Sequence, residues 1–493
     1  MRAGLALLLG LVALLPPGVD DEVDELQTKL RDSDKWSRKT AVEKLARLDR
    51  PEAWQLVIDA LADPFGEVSD TAQHELGALQ DADLIEELLG KRGLKERDEW
   101  VRLRAAEALG RLRVEVDGEP LARQLTHKDA ELRRTILWTL ERLESAGTLG
   151  GDRERKILPA VRRAWSKDRD PRVRAKALDV LVTFDAEAAV QDVLAGLEER
   201  EAAVRCAAVR ALPVLELPLT LGLVRKLGED ESVAVRTEVV EALGLLRSVG
   251  ACRALVDRLE RETELRLAYR IVDHLRYVSG LRHGRDARPW RRWADALEDD
   301  WKPFQGEVEE EDEDRSITFV GLPILSERLV VLIDMSGSIW KERGEGKTRK
   351  DVVDVKLREC LERLPETTEF NLIPYTADPI PWQKRLVPAT RRNVAAAITW
   401  FEKLNNSGTG DFWDAYLLAL EDPRVDTIVM LGDGEPTGGR RFHFGLLPAL
   451  VEQENLGRNV AVDSIVVGAR KRTRVTWEDI AARTGGRSIA VDL

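Results

Sequence analysis

An apolar anchor followed by a short helical pattern recurs eight times between Trp36 and Leu275, and this repeat narrows the fold more than any other feature. The units begin "WSRKTAVEKL" at Trp36, "VSDTAQHELG" at Val68, "VRLRAAEALG" at Val101 and "LRRTILWTL" at Leu132. They continue with "VRAKALDVL" at Val173, "VRCAAVRAL" at Val204, "VRTEVVEALG" at Val235 and "LRLAYRIVDHL" at Leu265. The anchors are spaced by 32, 33, 31, 41, 31, 31 and 30 residues. Apolar residues fall at i, i+3/i+4 and i+7, so each unit carries an amphipathic helix, and a second helix precedes each anchor ("AWQLVIDAL", "AAVQDVLAGL"). Two helices of this size cannot bury their own apolar faces. Stacking the units completes one continuous core, and the expected form is an all-α solenoid.

Six anchors are followed directly by arginine, and five have an acid three residues earlier (Asp98, Asp129, Asp170, Glu201, Glu262). Such an acid caps a helix N-terminus. The arginines are read as bridges between neighbouring units. With its Val/Leu-Arg pairs, the region resembles the short HEAT-like repeat family. The long interval contains "SAGTLGG", a glycine-rich insertion expected to leave the stack as a loop. "RPWRRWADAL" ends the array, with Trp290 and Trp293 on one helix face to close the last unit. Next comes "GEVEEEDEDR", a run of acids with little to bury, which reads as a solvated linker. These features divide the chain into a solenoid over 21–303, a linker over 304–315 and a second domain over 316–493. A tether of this kind predicts two units that fold separately and leave the solenoid free for a partner.

Composition removes several functions. The net charge of −13 and the absence of a long basic tract argue against nucleic acid as a partner. Cys206, Cys252 and Cys360 stand alone, and the five histidines form no metal-binding motif. The start, "MRAGLALLLGLVALLPPG", has a positive residue and an apolar run of signal-peptide length. It predicts a signal peptide over 1–20, export to a bacterial cell envelope, periplasm or the exterior, and no transmembrane helix in the mature chain.

From Ser316 onward short apolar runs alternate with amphipathic segments. The runs are "RLVVLI", "EFNLIPY", "DTIVML", "VAVDSIVV" and "RSIAV". That alternation predicts a doubly wound α/β domain with a parallel sheet covered on both faces. Ligands of such sheets sit beyond the C-terminal ends of the strands. "LVVLIDMSGSIW" ends its apolar run at Asp334, and in an extended loop Asp334, Ser336 and Ser338 share one side. One carboxylate and two hydroxyls make an all-oxygen set suited to a hard cation. "NNSGTGDFWDAYLLAL" places Thr409 in a glycine loop before a helix, and "VDTIVMLGDGEPTGG" places Asp433 at another strand end. A simple helix cap accounts for the serines but gives no role to Asp433.

Asp-x-Ser-x-Ser, a later Thr and a later Asp-Gly, in that order, resemble the von Willebrand factor type A (VWA) domain, which is Rossmann-like. The resemblance implies a metal-ion-dependent adhesion site at Asp334, Ser336, Ser338, Thr409 and Asp433. "GTGDFWDA" has one residue more between Thr and the helical Ala than the family spacing, so Ser407 is the reserve for Thr409. The family's hydroxyls bind Mg²⁺ (or Mn²⁺/Ca²⁺) directly and its aspartates act mostly through water. An open position then takes a Glu or Asp of a protein partner. The implied function is a metal-dependent binding scaffold or adhesin, with a second protein partner on the solenoid. An assembly or maturation factor for an enzyme complex is the alternative. HEAT-like repeats also occur in bilin lyases, but the repeats carry no catalytic constellation, and the chain is read as no enzyme.

Overall fold

The computed structural model describes residues 19–215, 219–306, 317–342 and 348–491. The leader up to residue 18 and the acids of 307–314 lie outside the described residues. Among the described residues no helix is long and apolar enough to cross a membrane.

The eight anchors open eight helices: α1 Lys35–Leu48, α2 Gly66–Glu75, α3 Glu99–Leu109, α4 Ala130–Ser145, α5 Pro171–Phe184, α6 Ala202–Leu215, α7 Val233–Leu246 and α8 Leu265–Ser279. They stack side by side, and outer helices such as Pro51–Asp59 and Val249–Leu259 cover their backs. One hydrophobic core runs from Leu26 to Ala294. The predicted caps form where the acid is aspartate: Asp98 accepts from Trp100 N (2.8 Å) and Val101 N (3.1 Å), and Asp170 from Arg172 N (2.8 Å).

The arginine near most anchors has a recurring task. Arg205 donates to the carbonyls of Glu199 (2.9 Å) and Arg200 (2.7 Å), which closes the loop before its own helix. Its other edge grips Asp230 of the next unit at 2.8 and 2.9 Å. Arg38 with Asp63, Arg133 with Asp168 and Arg236 with Glu262 repeat the arrangement. A guanidinium fork suits this because it satisfies two carbonyls and one carboxylate in a single plane.

One local feature differs from expectation. The "SAGTLGG" insertion does not leave the stack: Leu149–Gly150 pairs in parallel with Val116–Asp117, and a π-helical turn over Arg153–Ile157 leads into the next helix. The end of the array follows expectation, since Trp290 is fully buried, packs edge-on to Trp293 and donates its indole N–H to Gly284 O at 2.8 Å.

The C-terminal unit is a six-stranded sheet: β1 Arg328–Asp334, β2 Glu369–Tyr375, β3 Val387–Pro388, β4 Thr427–Gly432, β5 Ala461–Val467 and β6 Ser488–Val491. Its order is β6-β5-β4-β1-β2-β3, parallel except for the edge strand β3. Five helices cover it: α9 Arg349–Leu361, α10 Arg391–Glu402, α11 Phe412–Leu420, α12 Leu447–Asn455 and α13 Lys471–Thr484. Separate cores form on the two faces. The chain runs from β1 to β2 on one side and returns to β4 on the other, so the order reverses between β1 and β4. That crevice is where an open α/β sheet places a ligand.

The solenoid is not left free. Its inner helices face the C-terminal unit, and one segment of that unit touches all eight. Phe442 packs on Trp36, and Arg441 reaches the acids of α2 and α3. Glu454 pairs with Arg134 and Arg172, and Gly457 lies against Ala203. Asn459 donates to Ala234 O at 2.9 Å, and Asp463 takes both prongs of Arg266 at 2.9 and 3.0 Å. Arg266 is the second residue of α8, two positions nearer the helix start than the bridging arginines Arg133 and Arg236, and its fork meets the sheet instead of a neighbouring repeat. Asp463 is 1 % exposed. Removing one member of a buried pair leaves an uncompensated charge. Arg266→Ala should therefore cost roughly 3–5 kcal/mol in urea unfolding, and a change within about 0.5 kcal/mol would show that the docked arrangement contributes nothing.

Candidate functional site

At the crevice β1 ends in Asp334, and an Asx turn follows in which Ser336 N donates to Asp334 Oδ1 at 2.8 Å. Met335 N is held by Tyr375 O at 2.9 Å while the Met335 side chain enters the core, which directs Ser336 to the other side. The Ser336 and Ser338 hydroxyls lie 3.2 Å apart, and Ser338 Oγ donates to Asp433 Oδ1 at 2.7 Å. Asp433 follows the last residue of β4. Four of the five expected residues thus share one hydrogen-bonded cluster.

The loop that carries Thr409 packs against the cluster through the glycines on either side of it. Gly337 N donates to Gly408 O (3.3 Å), and Asp411 N to Thr376 O (2.8 Å). A side chain on Gly410 would lie 3.0 Å from Asp334 Oδ1, and one on Gly438 would lie 2.7 Å from Thr409 Oγ1. Both glycines are needed for these close approaches. Ser407 is exposed, whereas Thr409 is half-buried.

Two residues here escaped the sequence reading. Arg349, the first residue of α9, pairs with Asp433 Oδ2. Asp411 sits beside the site and caps α11 by accepting from Asp414 N at 3.1 Å. Its visible signal, an acid before an apolar helix, reads only as a cap.

The electrostatics are unfavourable without a cation. Burial pushes the Asp334 carboxyl up to about 6, with Asp433 adding to the shift and the Ser336 N–H opposing it. Burial likewise pushes Asp411 up to about 7. Burial, with Asp334, Asp411 and Asp433 nearby, holds the Tyr375 hydroxyl well above its ordinary value. Among the described residues no cationic side chain pairs with Asp334. Buried carboxylates are normally paired or bound to a metal, so a hydroxyl–carboxylate set of this kind fits a hard divalent cation. The cysteines take no part: all three are buried and free, with burial raising the Cys252 thiol to about 11 and Cys360 to about 12.

Fold and site together define a class, a helical-repeat arm joined to a doubly wound α/β domain with a polar strand-end site. A family model described as HEAT repeats matches residues 56–141, 139–213 and 191–275. Over 156 residues the chain is 30% identical to inter-alpha-trypsin inhibitor heavy chain H2 of Sus scrofa, covering 29% of this chain and 16% of that protein. It is 30% identical over 108 residues to human von Willebrand factor A domain-containing protein 3B, covering 21% of this chain and 8% of the relative. A solved structure titled von Willebrand factor type A from Catenulispora acidiphila is 17% identical, covers 35% of this chain and 40% of that one, and superposes with a TM-score of 0.29. The chain therefore spans less than a fifth of these curated relatives. The arm consists of HEAT repeats, and the C-terminal unit is a VWA domain.

The raised Asp334 value has a definite sign. An unfolded Asp titrates near about 4, so the folded state holds this proton more tightly. The group's stabilising contribution is full below about pH 4 and is lost as pH rises through about 6. In EDTA, wild type should lose stability relative to Asp334→Asn between about pH 4 and about pH 7. Parallel stability curves for the two proteins would contradict the desolvation of this carboxyl.

Proposed function

We propose that the protein is a metal-dependent binding protein whose VWA domain captures an acidic side chain of a protein partner. One observation carries this reading: buried Asp334, without a cationic partner among the described residues, meets Ser336, Ser338 and Asp433 at the topological switch of the sheet. Ser336, Ser338 and Thr409 would hold Mg²⁺ (or Mn²⁺/Ca²⁺) through their hydroxyls, and Asp334 and Asp433 would balance it from behind. Bound there, the ion supplies a local positive charge that neutral hydroxyls leave largely uncompensated. The chain's own residues orient and desolvate the site: the Asx turn aims the serines, and Gly410 and Gly438 let the threonine loop approach.

The residues brought together are carboxylates, hydroxyls and one arginine, with neither His nor Lys to act as a base, which supports binding over catalysis. The net charge of −13 repels acidic partners at long range. Capture must then depend on short-range contact at the ion, which is strong only where water is excluded. Export to a bacterial envelope belongs to the same proposal and rests on the apolar leader.

Calorimetry should find one Mg²⁺ or Mn²⁺ site, removed by Asp334→Ala with the fold intact. Unchanged binding in that variant would sink the assignment. Thr409→Ala should weaken binding more than Ser407→Ala, and the reverse order would transfer the role to Ser407. Partner capture should disappear in EDTA, return with Mg²⁺ and change little over moderate salt. Capture indifferent to EDTA would leave the site without a recognition role.

A further inference from the structure

The segment that follows Asp433 ends inside the solenoid, and it is pinned at each residue from Thr437 to Arg441. Thr437 pairs twice with the threonine loop: its Oγ1 accepts from Gly410 N at 2.7 Å, and its N–H donates to Gly410 O at 3.1 Å. Gly438 lies on the Thr409 hydroxyl, and Gly439, at φ +107°, lies against the Asp411 carboxylate. The Gly439 carbonyl meets the solenoid at Gly66, where an added side-chain carbon would come within 2.0 Å of it. Arg104 donates to Arg440 O at 3.0 Å.

Arg441 then enters the solenoid. It is 2 % exposed and donates to Glu107 Oε1 and Oε2 at 2.7 and 2.9 Å, with Gln73 Oε1 at 3.3 Å and Asp70 at 3.9 Å. Asp70 also accepts from Phe442 N at 2.7 Å. Asp70 and Glu107 are themselves buried, on α2 and α3. One short run of chain therefore has a candidate metal residue at one end and a fully desolvated, multiply bonded guanidinium at the other.

We propose that the HEAT arm holds the metal site in its binding geometry, with Arg441 as the positioning residue, so that cation binding and the seating of Arg441 in the arm strengthen one another. This rests on the metal reading above. The physical reason is conformational. Residues 434–440 contain three glycines and form no helix or strand, so an unanchored segment would have to be ordered when a cation binds. Seating Arg441 orders it beforehand, and that cost no longer falls on cation binding. Linkage makes the effect reciprocal: a cation at the site tightens the grip of the Asp70 and Glu107 pocket. The solenoid then acts as an internal support for the adhesion site.

Arg441→Met, in the full chain, should weaken Mg²⁺ or Mn²⁺ binding by calorimetry about tenfold or more, the usual effect of removing a group that orients metal ligands. Arg441→Lys should recover part of the loss. If Arg441→Met does not fold, Glu107→Gln keeps the shape and is read the same way. Arg134→Ala loosens docking at Glu454, away from this segment, and should leave the Kd within about twofold. In wild type, Mg²⁺ should slow hydrogen exchange both in residues 434–444 and in α3. A Kd within about twofold of wild type in Arg441→Met overturns the proposal alone, as does an equal loss in Arg134→Ala. A wild-type chain that binds no divalent cation overturns the metal reading and this proposal together.

Discussion

The structure depends on the desolvated pairing of a guanidinium with a carboxylate. Within the arm it joins one repeat to the next, as Arg205 does with Asp230. Between the arm and the VWA domain it joins Arg266 to Asp463 and Glu107 to Arg441. Such pairs are weak contributors to net stability but severe penalties when broken. They therefore specify which surfaces meet more than how tightly they meet. Hydrophobic stacking builds the solenoid, and the ion pairs decide what lies against its inner helices.

The same physics acts in the opposite direction at the strand ends. Asp334 is buried like the acids of the interface, yet its partners are the amide and hydroxyl of Ser336 instead of a guanidinium. The fold thus leaves one carboxyl group desolvated with no guanidinium to balance it. Arg349 partly answers Asp433, so the acid on β1 is left as the less compensated of the two.

Much of this was legible in the sequence. The eight anchors mark eight real helices because apolar periodicity is set locally, and "EFNLIPY" coincides with β2 because strands buried on both faces read as continuous apolar runs. Asp334, Ser336, Ser338 and Asp433 converge because strand ends of a doubly wound sheet share one rim. The docking was not legible. Arg266 follows an apolar anchor as Arg236 does, but it is the second residue of its helix and Arg236 the fourth, and that offset gives one a strand and the other a repeat neighbour. Asp463 lies in an apolar run, and Glu454 on an ordinary helix. Asp411 was missed because a helix cap accounts for it completely. The tether suggested separate units because an acidic run shows only that the linker is solvated, and nothing about the domains on either side.

The contact from Phe442 to Asp463 has a consequence for how such a chain can change over time. Repeat arrays commonly lengthen or shorten by duplication or loss of whole units, since each unit needs only its neighbours. Here a single stretch of the VWA domain carries contacts to all eight units. Inserting one unit would shift every later contact by a full repeat and place Asp463 opposite the wrong helix. The arm works like a gauge block cut to the domain it holds, and its number of units is no longer free to drift.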